Sequence, residues 1–544
     1  MSMKRFLSLF LTIVMVMSLV ACGGKDDADN KADSNAGNKN VSTSDEKEES
    51  TEKSDPANST PAETKYAESV TIALPSGLST LDPATQWNTN LDVVNSGIFE
   101  TLVKYDGVTG EISPWLAETA EFTDENNNRI HIVLRNDVYF SNGDKLTTED
   151  VEFSLGRTTR STIQQYYASC EIVDDREMYI NMSDTCGEWL GALGVSFAAI
   201  VSKDDVESNP DGKATIGTGP YIADMDSYVV ENKITLTRNE DYWGEKPVTK
   251  QRKFVVINDA SARGVALANG EIDLTIDLNP TEVAAYKAKD NLEVVTYPST
   301  RFIYVIFNDK RDSDAVSEGE LALRRAIACA MNRDEIVAAS GESAATPMIS
   351  MWRPDASYID DESEFDIDLS YNPEKAKEYL AQADTTEIDC LVNATTAQTK
   401  VAAQVIQEQL RQVGITMNII ESDSAAIGAM MTEEVPEYEM IVFNNMITFL
   451  PCAGWTFFQH MSNINGCAMY DPDILAALDV VMTTSDLDEK IENLQIIQKE
   501  NHDQVSYLPA YWREGNYACV KGLEGFNIEA SGLFHIDEIA KVIE

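Results

Sequence analysis

Histidine is scarce in this chain: His131, His460, His502 and His535 are all that 544 residues contain. No close His pair, no HExxH and no CxxC occurs, so nothing supports a metal site built from protein ligands. Basic residues are also few, 42 Lys and Arg against 91 Asp and Glu, for a formal net charge of −49. Nucleic-acid binding needs clusters of Lys and Arg, so this balance argues against it, and against phosphate or sulfate as ligand. There is no GxSxG. No Ser or Cys stands near a His as nucleophile to base, and no carboxylate pair is singled out, so catalysis is not expected. No cofactor is implied. After Val20 no apolar run approaches the length of a membrane span.

The N-terminus is different. Lys4 and Arg5 precede an uncharged apolar run from Phe6 to Val20, which is too short and wrongly flanked for a span and reads as a secretory signal. It ends Leu19-Val20-Ala21-Cys22, which resembles the lipobox of bacterial lipoproteins. That resemblance implies cleavage after residue 21 and a diacylglyceryl group on Cys22, a two-chain anchor strong enough for stable attachment. The stretch from Lys25 to Lys65 has no aromatic residue and one large aliphatic, Val41. It cannot bury enough apolar surface to offset its ordering entropy. Residues 22–65 are therefore expected to tether a folded body to the outer face of the bacterial cytoplasmic membrane.

Eight Cys are present. With Cys22 lipidated, seven remain, as suits an exported protein with some disulfides and at least one unpaired thiol. Cys170 and Cys186 flank EIVDDREMYINM, which reads as two strands around an Asp-Asp-Arg turn. Cys452 and Cys467 flank another short excursion, so both pairs are candidate staples.

From Tyr66 onward, strand and helix patterns alternate. Ser69–Leu74 is a short β run closed by Pro75 and Gly77. A helix is expected from Asp92 to Tyr105, with Val93, Val94, Ile98 and Leu102 on one face. Arg129–Arg135 and Asp137–Phe140 read as strands, with a tight turn at Asn142-Gly143. A helix follows, with Thr148 as N-cap. Ile388–Val392, a helix from Lys400 to Val413 capped by Gly414, and Ile415–Ile420 make a strand, helix, strand unit, hence a right-handed crossover and a parallel pair. Mixed sheets flanked by helices place the chain in the α/β class.

Several phrases in a fixed order resemble the large solute-binding proteins of bacterial ABC peptide and nickel importers. They are Leu81-Asp82-Pro83, Ile98–Val103, Gly110–Ala117, Val138–Gly143 with Leu146–Val151, Gly217–Tyr221, Leu267–Asp273, Arg324–Ile327 with Met331–Arg333, Tyr371–Ala376, and Val413–Ile415. The resemblance implies a periplasmic-binding-protein-like fold of two main hinged lobes and an extra middle domain. Lobe I would comprise residues 66–103, 215–300 and 510–544, the middle domain 104–214, and lobe III 301–509. A di- or oligopeptide would lie between lobes I and III and pass to a membrane permease served by cytoplasmic ATPases, the binding protein acting as a monomer. An oligosaccharide or chelated nickel is the alternative ligand, and a secreted hydrolase a remote one.

By the same resemblance, Trp87, Asn88 and Thr89 line the cleft, Asp277 and Leu278 meet the ligand's main chain, and Asn444, Asn445, Met446 and Thr448 form a facing loop. Thr448 stands where peptide-binding relatives carry an Asp for the ligand's α-amine, which leaves Asp277 as candidate amine partner or a ligand without that amine. Trp455 and Trp512 are further aromatic candidates, and Arg353 is a candidate for a carboxylate.

Overall fold

The computed structural model describes residues 64–84, 89–105, 111–123, 126–158, 163, 166–209, 211, 213–308, 316–341, 345–347, 365–393, 397–423, 426–427, 430, 438–446, 471–528, 534–536 and 538–543. Cys22 and the tether, up to Glu63, lie outside them. No helix among the described residues is long and apolar enough to cross a membrane.

After a two-residue strand, Lys65–Tyr66, paired with the C-terminal Val542–Ile543, come β1 (Ser69–Leu74) and α1 (Thr89–Asn95). A separate four-stranded antiparallel sheet follows, built from β2 (Ala117–Phe122), β3 (Arg129–Leu134), β4 (Tyr167–Ile172) and β5 (Glu177–Met182) in the order β2-β3-β5-β4. Helices α2 (Thr148–Arg157) and α3 (Trp189–Ala192) pack with it around Leu116, Ile132, Val151, Ile180 and Trp189. The chain then returns with β6 (Tyr221–Val229), β7 (Lys233–Arg238), β8 (Gln251–Val256), β9 (Leu274–Ile276), α4 (Pro280–Lys287) and the 16-residue β10 (Leu292–Phe307). Beyond it lie β11 (Glu387–Asn393), α5 (Ala397–Val413), β12 (Thr416–Ser422), β13 (Met440–Met446), α6 (Pro472–Thr483), α7 (Leu487–Gln504) and the 14-residue β14 (Tyr507–Val520).

One mixed sheet runs β12-β11-β13-β10-β14-β9-β1-β8-β7-β6, with Thr346–Pro347 pairing off the path on β14. Its two halves have separate cores. Val70, Ile72, Leu236, Phe254 and Leu274 cluster in one. In the other, alternate residues of β10 point to opposite faces. Phe302, Tyr304 and Ile306 pack with α6 and α7, and Ile303, Val305 and Phe307 with α5, as the two-residue side-chain period requires.

Only β10 and β14 carry backbone pairing through both halves of that sheet path. Their antiparallel register is regular from Leu292↔Val520 to Pro298↔Glu514, resumes at Phe302↔Trp512, and slips once more between Ile303 and Tyr304. Between those runs Ser299, Thr300 and Arg301 stand opposite Arg513 alone, so the ladder is interrupted where the strands pass from one core, with Tyr297, to the other, with Phe302.

The strand, helix, strand unit forms as expected, with β11 parallel to β12 and Gly414 at φ 100° after α5. The hairpin of β4 and β5 also forms, Cys170 opposite Ile180. Three expectations are corrected. The helix expected to reach Tyr105 stops at Asn95, because the carbonyls of Gly97 and Ile98 accept from Tyr221 N (2.9 Å) and Gly219 N (2.9 Å) rather than continuing the helix. The N-cap of α2 is Thr147, not Thr148, with the Asp150 carboxylate accepting from Thr147 N at 3.0 Å and Oγ1 at 2.9 Å. Cys170 and Cys186 are both free thiols. Cys186 is buried in the middle core, and Cys170, on edge strand β4, packs half-buried against the same core with the Tyr167 hydroxyl donating to its Sγ at 3.4 Å. Burial pushes Cys170 up to about 11 and Cys186 up to about 12, so neither is a ready thiolate. Cys452 and Cys467 lie outside the described residues.

Two buried polar knots fasten the middle sheet to lobe I. Asp82 takes both Nη atoms of Arg157, at 2.9 and 2.6 Å, and the backbone N–H groups of Ala84 and Ala214. Glu100, buried, accepts from Trp115 Nε1 (2.9 Å), Thr218 Oγ1 (2.8 Å), Tyr242 OH (2.7 Å) and Trp243 Nε1 (2.9 Å). Desolvation raises its pKa, the four donors opposing that shift. The folded chain therefore holds this proton more tightly than the unfolded one. The resulting stabilisation is complete below the unfolded pKa and is lost as pH rises through the folded one.

Glu100→Ala, which takes the shared acceptor from buried Thr218 and three half-buried donors, is expected to lower stability by about 3 kcal/mol. In urea unfolding, the stability of the native protein relative to Glu100→Gln should fall as pH rises from about 4 to about 8; a difference independent of pH would contradict the burial effect.

Candidate functional site

Where β10 passes from one core to the other, several polar side chains converge. Strand β9 ends at Ile276, and Asn279 caps α4 with Glu282 completing a capping box. Asp277 is caught between strand end and cap and takes a left-handed conformation, φ 54°. A non-glycine residue there costs roughly 1–2 kcal/mol, less for Asp, and such strain persists where surroundings impose it, often at functional sites. The bend carries the Asp277 carboxylate to Arg301 on β10, Oδ1 to Nη1 3.1 Å. Both side chains reach solvent, at 51% and 28% exposure. The Arg301 backbone N–H donates to Ser299 Oγ at 3.0 Å, inside the ladder interruption.

Tyr297 flanks this pair. It faces Gly515 across β14, and a Cβ on Gly515 would sit 2.1 Å from the Tyr297 ring, so only glycine leaves the ring room to lie over the strand. Burial pushes the Tyr297 hydroxyl well above its ordinary pKa, with Arg301 lowering it and Asp277 raising it. Behind it, Thr296 Oγ1 donates to Asn516 Oδ1 at 2.9 Å.

The facing half arrives through register. On β13, Met446 lies opposite Arg301, Asn445 opposite Phe302 and Asn444 opposite Ile303. Thr399 Oγ1 of α5 contacts Asn444 Oδ1 at 3.4 Å. Asp277 and Asn444–Met446, distant in sequence, are thus brought to neighbouring positions by β10. Leu278 is different: its side chain is buried with Leu267, Val283 and Tyr286, and its N–H is given to Asn516 O at 3.4 Å. Trp512 is fully buried against Phe302, with ring centroids 4.9 Å apart, as part of a core. Thr89 opens α1. Trp87, Asn88, Arg353, Thr448 and Trp455 lie outside the described residues.

Arg301, Tyr297 and Gly515 were not singled out in the sequence. The available signal was one basic residue, Arg301, directly before the apolar run Phe302–Phe307 at the expected lobe boundary. Elsewhere, Asp471, Asp473 and Glu500 bring carboxylate oxygens within 4.8 Å of one another. Asp471 Oδ1 already caps α6 through the N–H groups of Asp473 and Ile474, both at 3.0 Å, and we assign no metal there.

The model of the bacterial extracellular solute-binding proteins, family 5, matches residues 111–462, well over half of the chain. Among curated relatives, the nickel-binding periplasmic protein of Escherichia coli strain K12 is 27% identical over 392 residues, 66% of this chain and 72% of that protein. The oligopeptide-binding protein AppA of Bacillus subtilis strain 168 is 25% identical over 439 residues, 73% of this chain and 77% of that one. The solved structure of a dipeptide-binding protein from Pseudoalteromonas sp. SM9913, in complex with Met-Leu, superposes with a TM-score of 0.69 at 17% identity, covering 87% of this chain and 100% of that one. That last likeness shows the fold, two main lobes with a middle domain.

Asp277→Ala is expected to cost on the order of 1 kcal/mol, combining the left-handed backbone with loss of the exposed ion pair. Asp277→Gly loses the same charge but relaxes the backbone, and should stay within about 0.5 kcal/mol of native. Equal destabilisation of both variants in urea unfolding would contradict the strain.

Proposed function

The chain belongs to the bacterial extracellular solute-binding proteins of family 5, which are binding proteins and not enzymes, and from that membership we propose that it captures a short peptide at the Asp277–Arg301 crossing. The observation that carries this reading is the half-exposed ion pair itself, held on a bent backbone where the two long strands change lobes. A peptide end presents an ammonium or a carboxylate, and each finds its complement here: Asp277 for the first, Arg301 for the second. Asp277 takes the role that the missing acid at Thr448 would have filled. The oligopeptide-binding relative supports the ligand class, and the nickel-binding one keeps a chelated metal as the second reading.

In this reading lobe I comprises residues 66–103, 215–300 and 510–544, the middle domain 104–214 and lobe III 301–509. Ligand touching both main lobes favours the shut form, and a membrane permease accepts the loaded protein. Working outside the cytoplasm, it is held at the membrane by a diacylated Cys22, with the polar residues that follow as the spacer, ending before Lys65, which the structure pairs with Ile543 rather than leaving in the tether, and it acts as a monomer.

Calorimetry with matched free and N-acetylated di- and tripeptides tests the proposal. Free peptides should bind, and acetylation should weaken binding about tenfold or more; indifference to acetylation would overturn the role of Asp277, and heat from saccharides alone would overturn the peptide class. Cys22→Ala should move the protein from the membrane fraction to the medium, and tight retention would contradict the anchor.

A further inference from the structure

Lobe III touches the rest of the molecule at a second place, far along the chain from the crossing strands. The corner between α6 and α7 is seated on the middle domain. Gly187 N donates to Met482 O at 2.9 Å, Asn127 Nδ2 donates to Thr483 O at 3.0 Å, and Ser485 Oγ donates to Asn127 Oδ1 at 3.1 Å. Asn127 takes a left-handed backbone, φ 49°, to do so. A Cβ at Gly187 would lie 1.8 Å from Thr484 O, so the two backbones meet with no room for a side chain. Beneath them Lys490 Nζ stands 3.4 Å from Glu188 Oε1, with side-chain exposures of 2% and 0%. Glu188 lies in the buried run Cys186–Trp189, and Lys490 is a buried residue of α7.

The middle domain is not free to follow lobe III, because the Asp82–Arg157 pair and the bond from Trp115 Nε1 to Glu100 fix it to lobe I. Helix α7 is not free to leave lobe III, because Leu494 and Ile497 are buried with Phe302, Tyr304 and Trp512. A swing of lobe III about the β10/β14 crossing must therefore part this joint. We propose that the seat of the α6–α7 corner on Asn127, Gly187 and Glu188 is a latch, made in the shut form and broken in the open one. It sets how readily the protein shuts without touching the ligand.

A charged joint suits that task. When it parts, Lys490 and Glu188 both regain water, so opening is not resisted as it would be by a purely apolar seat, whereas either charge alone is tolerated only in the open form. The inference rests on the closing motion of the proposed function but not on the identity of the ligand.

The test uses the whole folded protein and three variants: Lys490→Met, Glu188→Gln with Lys490→Met, and Gly187→Ala. Small-angle scattering of the ligand-free proteins reads the lobe arrangement, and titration with trialanine reads affinity. Lys490→Met should enlarge the ligand-free radius of gyration and weaken trialanine binding about tenfold, since apparent affinity falls with the fraction able to shut. The double variant should return to within about threefold of native, because no lone charge is left buried. Gly187→Ala, which wedges the joint without changing a charge, should behave like Lys490→Met and carries the test if that variant does not fold. Native-like scattering and affinity in Lys490→Met and Gly187→Ala, or a lowered melting temperature with neither changed, would overturn the latch. Should trialanine bind none of the four proteins, the ligand reading fails while the scattering comparison still decides the latch.

Discussion

Everything in this molecule turns on the pairing of β10 with β14. Two antiparallel strands hydrogen-bonded along most of their length resist shear and stretching, so neither half of the large sheet separates from the other. The ladder is interrupted only around the crossing, where Ser299, Thr300 and Arg301 share one opposite residue and a further slip follows at Ile303. A backbone stiff on both sides of a short irregular stretch bends there before it bends elsewhere. Arg301 sits inside that stretch, and its Asp277 partner is on a strained turn of lobe I. In the proposed function, a solute that exchanges contacts with this pair acts at the point where small displacements become large movements of the lobes.

The remaining body is held rigid by buried polar groups rather than by area alone. Glu100 gathers donors from segments more than a hundred residues apart, and Asp82 clamps Arg157 with two backbone N–H groups beside it. Buried carboxylates of this kind are tolerable only when their oxygens are fully engaged, which fixes the geometry of whatever supplies the donors. In the proposed closing motion, lobe I and the middle domain therefore move as one, and lobe III is the part with freedom.

What was legible in the sequence followed its range of interaction. The parallel β11 and β12, the hairpin of β4 and β5 and the cap at Gly414 are written in nearby residues, and all formed. The early stop of α1 was not legible, because it depends on Gly219 and Tyr221, more than a hundred residues away, bonding to Gly97 and Ile98. Cys170 and Cys186 flank a real hairpin, yet flanking a hairpin does not bring two sulfurs within bonding distance: both pack on the middle core as free thiols, one buried and one half-buried on an edge strand. Asp277 was visible as an acid at a family position. Its partner Arg301 was not, since the pair exists only through a bend after β9 and a slip in β10. Trp512, a cleft candidate by residue type, is an apolar anchor between two aromatic strands.

The central claim is that lobe III swings against a fixed body about the β10/β14 crossing when an unaltered solute binds. Spin labels at the exposed positions Val265, in lobe I, and Leu475, on α6, make that motion measurable by pulsed dipolar spectroscopy. The account predicts two resolved distance populations without ligand and a collapse onto one of them when a binding peptide is added. A single distance distribution that stays the same with and without a peptide bound, as read by calorimetry on the same sample, would contradict it.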